Sequence, residues 1–215
     1  FRIGDLWLAL VNVHRRVENT QEIHLMFSRD GFQWKRTGEH RPFMTPGEAG
    51  TWDCFMAETC NPPLMLDDEM RIYYAGGNLH HDFWMFGEME GLDHPEACSG
   101  WGGGQLALGL ATMRPEGFVS IDTGVRDGLL ITRPFICDAG QLLVNVACGN
   151  GGYFDVELTD ADDDVVPGFE RSACDTFTGD AARHVVTWNG RSQLPRELLA
   201  RGVKLRFYNK FCSIY

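Results

Sequence analysis

The sequence predicts an all-β protein: about two blades of a β-propeller over residues 1–124, then a β-sandwich over residues 125–215. Three observations carry this reading. Short runs rich in β-branched and aromatic residues are bounded by Gly, Pro, Asn or Asp along almost the whole chain. Gly is abundant, at 25 of 215 residues, as turn-rich β proteins require. One segment alone, Leu194–Arg201, reads as a helix, and Gly202 closes it.

The first half holds two sets of strands. Asp5–Val13 is apolar and β-branched or aromatic, and Glu22–Phe27 alternates Ile23, Leu25 and Phe27 against Glu22 and His24. Phe32–Lys35 closes that set. Pro63–Leu66, Arg71–Ala75, Gln105–Thr112 and Phe118–Ile121 follow. LWLALVN, IHLMFSRDG and FQWKR match MRIYYAGG, LALGLATMRPEG and FVSIDTG in design. Four-stranded units repeated at about 40–50 residues mark propeller blades. Asn78 to Gly104 is Gly-rich and acidic with little periodicity, so it reads as a long loop, a length uncommon without a function.

After about Gly124 the strands are Leu129–Ile136, Gln141–Val146, Tyr153–Leu158, His184–Trp188 and Val203–Tyr208. Turns such as Asn150-Gly151-Gly152 and the acidic Asp160–Asp164 separate them, the spacing of a β-sandwich.

Composition excludes several classes. The formal charge of −11 disfavours nucleic-acid phosphate as a partner. No run approaches the roughly 18–20 apolar residues of a membrane helix, so a soluble protein is expected, with no membrane partner. No secretory signal opens the chain, which begins with Phe1. Seven cysteines with no CxxC pair argue against a structural zinc site and for reduced thiols packed as small hydrophobes.

Several motifs bear on chemistry. Ser28-Arg29-Asp30-Gly31-Phe32-Gln33-Trp34 resembles the Asp-box of sialidases, shortened by one residue, and its role is a structural turn. Asp53 and Glu58 flank a short run before the strand at Pro63. Paired carboxylates are what glycoside cleavage uses, one as acid and one as base or nucleophile. Odd spacing on an extended strand puts the two on opposite faces, so a bend or bulge is needed to bring them together. The alternative is a turn aspartate and a surface glutamate.

His80, His81 and Asp82 are candidates for sugar contact, with a metal as a distant second reading and exposed loop histidines as the alternative. Trp84 and Trp101 can stack on sugar faces or anchor the loop. Arg15, with Arg16, can hold an anionic sugar, against a solvated loop. Asp160, Asp162, Asp163 and Asp164 read as a hairpin tip, because their spacing does not match an EF-hand.

The runs IHLMFSRDGFQWKR, GTWDCFMAE, RIYYAGGNLHHD and LGLATMRPEGFVSID resemble the later blades of a five-bladed propeller of the glycoside hydrolase family 32/43-like kind. TRPFICDAGQLLVNV, GGYFDVELTDADDDVVPGF, GDAARHVVTWNG and VKLRFYNKFCSIY resemble the β-sandwich that follows it. The resemblance implies metal-independent hydrolysis of a glycosidic bond at an axial site of three acidic residues, without a cofactor. It implies Glu58 as acid, Asp53 as modulator and His80 as sugar contact.

A closed ring of five blades needs roughly 250–300 residues. The resemblance therefore implies that this chain is the C-terminal part of a longer protein. The early-blade Asp of a WxNDPxG-like setting has no match here, and Glu58-Thr59-Cys60 carries one residue more than the Glu-Cys motif of fructan hydrolases. An open blade edge would invite association, so a homo-oligomer is among the expected partners, beside a carbohydrate substrate. The rival functions are a non-catalytic carbohydrate-binding module, using Trp84, Trp101 and Tyr73, and a scaffold assembled through the sandwich.

Overall fold

Alternating apolar residues and a left-handed Asn19 (φ 55°) make the first hairpin. The computed structural model describes residues 1–59, 61–82 and 106–215. Two compact units divide it, Phe1–Pro115 and Glu116–Tyr215. Among the described residues the elements are nearly all strands, so the protein is all-β.

In the first unit, β1 (Arg2–Ile3) pairs with β2 (Leu6–Arg15), and β2 pairs antiparallel with β3 (Thr20–Ser28). β4 (Lys35–Arg36) adds to β3. The same edge of β3, the one away from β2, also takes β5 (Met56–Glu58) in parallel, through Gln21 and Met56. β5 and β6 (Leu64–Met65) lie along one edge of β7 (Met70–Gly77), and β8 (Leu106–Met113) takes the other. The eight strands form one curled sheet.

Its core is Ile23, Leu25, Met56, Ala57, Met70, Ile72 and Leu79. β3 runs through the middle and is buried on both faces, so Glu22 and His24 are enclosed along with Ile23 and Leu25. The alternation of that strand does not separate a wet face from a dry one.

The Asp-box-like turn forms as its chemistry dictates. Asp30 Oδ1 accepts from the Phe32 and Gln33 N–H groups at 2.9 and 2.8 Å, and Gly31 takes φ +78°. These backbone donors, with Ser28, hold the Asp30 carboxyl below its ordinary range. Because the turn occupies Asp30 to Trp34, the expected strand Phe32–Lys35 shrinks to the two residues of β4.

The second unit has one hydrogen-bonded sheet. Its strands are β9 (Ile121–Asp122), β10 (Gly128–Ile131), β11 (Leu143–Asp160), β12 (Asp180–Val185) and β13 (Val203–Ile214). β13 pairs with β9, β10 and β11, and β12 lies on the far edge of β11. The residues around 121, expected to close a blade of the first half, pair with β13 instead: Ile121 faces Ile214.

Asn150-Gly151-Gly152 is not a turn between two strands but a bulge inside β11, where the register shifts between Cys148 and Tyr153. A Cβ on Gly152 would lie 2.8 Å from the carbonyl oxygens of Lys210 and Phe211, so the close approach of β13 admits glycine alone. The expected helix is a single turn, α1 (Arg196–Leu199), that seats Leu199 in the core.

Trp188 centres this core, with its indole N–H donating to the Val156 carbonyl at 2.9 Å and its ring edge-on to Phe169. Burying such a side chain stabilises by roughly 1.5–3 kcal/mol. The acidic turn is a hairpin tip: Asp160 Oδ1 accepts from the Asp162 and Asp164 N–H groups, and Asp163 pairs with Lys204 at 2.7 Å. Among the described residues no helix is long and apolar enough to cross a membrane.

Candidate functional site

Cross-strand partners point to the same side of a sheet, and neighbours along a strand to opposite sides. His14 pairs with Gln21, Asn12 with Ile23, Gln21 with Met56 and Glu58 with Ala75. Asn12, His14, Glu58, Ala75 and Tyr73 therefore share one face of the first sheet. Arg15, Glu22, His24, Tyr74 and Gly76 occupy the other.

Glu58 is half-buried, and its carboxylate makes no hydrogen bond or ion pair with any other described residue. Tyr73, on the same face, is exposed. Thr59 beside it is fixed by Asn12, whose side chain donates to the Thr59 carbonyl at 3.1 Å and accepts from its N–H at 2.9 Å.

Asp53 is elsewhere. Trp52 and Asp53 pack over Gly76, where a Cβ would stand 2.6 Å from Trp52 and 2.7 Å from Asp53. Gly109 is equally constrained, since a Cβ there would meet Tyr74 at 2.5 Å. Asp53 accepts from the Tyr74 hydroxyl at 2.8 Å and from Thr51 Oγ1 at 2.9 Å. Burial first, and then the Asp53 carboxylate, push the Tyr74 hydroxyl up to about 12. Asp53, in the turn that precedes β5, thus lies on the Tyr74 and Gly76 face, opposite Glu58.

Arg15 is committed to Glu22, its Nε donating to Oε1 at 2.6 Å. His24 Nε2 also stands 2.6 Å from that oxygen. A carboxylate accepts, so Nε2 carries the proton, and His24 Nδ1 is buried with no hydrogen-bond partner. Sequence reasoning missed this Arg15–Glu22–His24 group because the alternating strand reads as wet on that side.

His80, His81 and Asp82 divide. His80 stacks on Phe55, ring centroids 3.9 Å apart. His81 and Asp82 turn toward His14 and the β2–β3 turn, with His81 Nδ1 at 2.7 Å from Asp82 Oδ1 and ring centroids of His14 and His81 4.3 Å apart. Trp84 and Trp101 lie outside the described residues. An open depression of about 350 Å³ is lined by Phe1, Trp7, Trp34, Thr59 and Asn61 among others. It offers two indoles and an amide.

On the second unit the charged side chains pair with one another, although Arg206 Nε is buried without a partner among the described residues. Arg171 lies over Tyr208, 4.3 Å from its ring centre, and donates to Asp155 at 3.2 Å, while Arg206 and Tyr208 serve Glu157.

No protein-family model, no curated protein and no solved structure matches this chain.

Proposed function

We propose that this chain belongs to a carbohydrate-active protein of the glycoside hydrolase kind. Its first unit would be propeller blades and its second the following β-sandwich. The observation that supports the reading is the shared face of Glu58 and Tyr73. A half-buried carboxylate free of partners among the described residues is available to protonate a glycosidic oxygen, and an exposed tyrosine on the same face gives a sugar ring an apolar face to lie on.

A second reading, a non-catalytic carbohydrate-binding module, is favoured by Asp53. Its place beside Tyr74, across the sheet from Glu58, denies Glu58 the expected second carboxylate. The aromatic depression at Trp7 and Trp34 also suits binding without turnover.

A glycan-binding array and a hydrolysis screen on the wild-type chain, Glu58→Gln and Tyr73→Ala separate the two. Turnover lost in Glu58→Gln with binding retained supports the hydrolase. Binding without turnover in any variant supports the module. Neither binding nor turnover on any glycan rejects both.

A further inference from the structure

His14 stands near the end of β2, and His81 and Asp82 follow β7 far along the chain. The backbone brings them together. The His81 N–H donates to the Asn19 carbonyl at 2.9 Å, and the Asp82 N–H donates to Asn19 Oδ1 at 3.2 Å. The segment after β7 is therefore clipped to the β2–β3 turn by one asparagine held in the left-handed region. Near donor atoms of His14, His81 and Asp82, one from each, all lie within 4.8 Å of one another.

The hydrogen bonds fix where the lone pairs are. Asn19 Oδ1 is identified as the oxygen by the backbone N–H that it accepts. His14 Nε2, 3.2 Å from the same oxygen, must then carry a proton, which leaves Nδ1 as a bare donor to a metal in the neutral ring. His81 Nδ1 faces the Asp82 carboxylate at 2.7 Å and carries its proton, which leaves Nε2 bare. Two imidazoles in near contact thus each keep an unprotonated nitrogen, and one is oriented by a carboxylate. That carboxylate–histidine pairing is how metal-binding imidazoles are held and made more basic.

We propose that His14, His81 and Asp82 form a binding site for a divalent transition-metal ion of the zinc class. Two imidazole nitrogens select against calcium and magnesium, which take oxygen ligands. Ligands on a tetrahedral zinc stand about 3.3 Å apart, so the 4.8 Å cluster closes by side-chain rotation. His14 is exposed and free to make it. Asp82 serves either as the third ligand or as the acceptor that orients His81. Water or an oxygen of a bound molecule takes the one position left in the first case and the two left in the second. The site goes beyond the glycan reading and stands without it. Sequence reasoning left a metal at His80, His81 and Asp82 as a distant second reading, because the pair at 80 and 81 lacks helical spacing, and did not connect them with His14.

The test is a cobalt(II) titration of the chelator-treated 215-residue chain, followed by competition with zinc. The expected result is one equivalent bound, with visible ligand-field absorption and no thiolate charge-transfer band, displaced by zinc. His14→Ala and His81→Ala each abolish it. Asp82→Asn weakens it about 10–100-fold. His40→Ala, on an exposed turn, leaves it unchanged. His14→Gln, at an exposed position, is the check against loss through misfolding, with circular dichroism confirming the fold of every variant. Absence of binding at micromolar metal overturns the proposal. So does binding that survives both histidine substitutions, or a thiolate band showing that cysteines hold the ion.

Discussion

Tyr74 and Asp53 meet through a 2.8 Å hydrogen bond that fastens the Trp52-Asp53 segment to the glycine floor of β7 and β8. The bond explains why Asp53 stays on its own side of the sheet. It also makes the floor testable.

Tyr74→Phe is expected to cost about 1–2 kcal/mol, since a hydrogen bond to a charged group contributes roughly 1.5–3 kcal/mol and this one is only partly buried. Gly76→Ala is expected to cost as much or more, about 1–3 kcal/mol, because its methyl meets Trp52 and Asp53 inside contact distance. Urea unfolding followed by Trp fluorescence reads both. Wild-type stability in Gly76→Ala would sink the packing described here.

Alkaline pH provides a second check. Tyr74 rises from 10.0 to about 12 in the folded chain, chiefly through burial. A hydroxyl that holds its proton more tightly when folded contributes stability fully present below pH 10 and lost as pH climbs toward 12. Cys174 and Cys148, raised from 9.0 to about 11 and about 12, act in the same direction from pH 9 upward. Unfolding midpoints are therefore expected to fall between pH 9 and 11. A flat profile across that window contradicts the burial of these groups.

The same shifts govern thiol reactivity. Burial keeps Cys148 and Cys174 protonated at pH 8, and the thiolate is the reactive form. Iodoacetamide at pH 8 should label both far more slowly in the native protein than in urea. Mass spectrometry of the peptides decides it, and equal rates in the two conditions would be the adverse result.

Glu22 offers a test of the buried group. Glu22→Ala leaves the His24 ring without its partner on one nitrogen while the other already has none, an expected loss of about 1–3 kcal/mol. Arg15→Ala should cost less, about 1 kcal/mol or below, because Arg15 is 47 % exposed. Thermal melts of the two variants in one buffer compare them, and the reverse order would refute the assignment of Glu22 and His24 as the buried pair.

How much of this was legible in the sequence depends on the range of the interaction. β2, β3, β7 and β8 announce themselves through apolar runs and turn residues, and the Asp-box-like turn through residues within a few positions. β5 is three residues long with no pattern of its own, and it is a strand because β3 and β7 supply its partners. Asn150-Gly151-Gly152 has the composition of a turn, yet β13 runs past it and makes it a bulge. Asp53 and Glu58 do end on opposite faces, but not through the alternation of one strand: Asp53 sits in the turn before β5, where Tyr74 holds it. His14 and His81 could not be joined by any local signal, because Asn19 does the joining.

β13 lies later in the chain than every strand it pairs with, and β9 and β10 pair with no other described strand. During synthesis, those two segments and the inner edge of β11 must wait, unpaired, until the ribosome delivers residues 203–214. The second unit therefore cannot close its sheet piecemeal as it emerges. It is expected to complete late and in one step, with Leu130, which packs against the core in the finished sheet, open to chaperones until then.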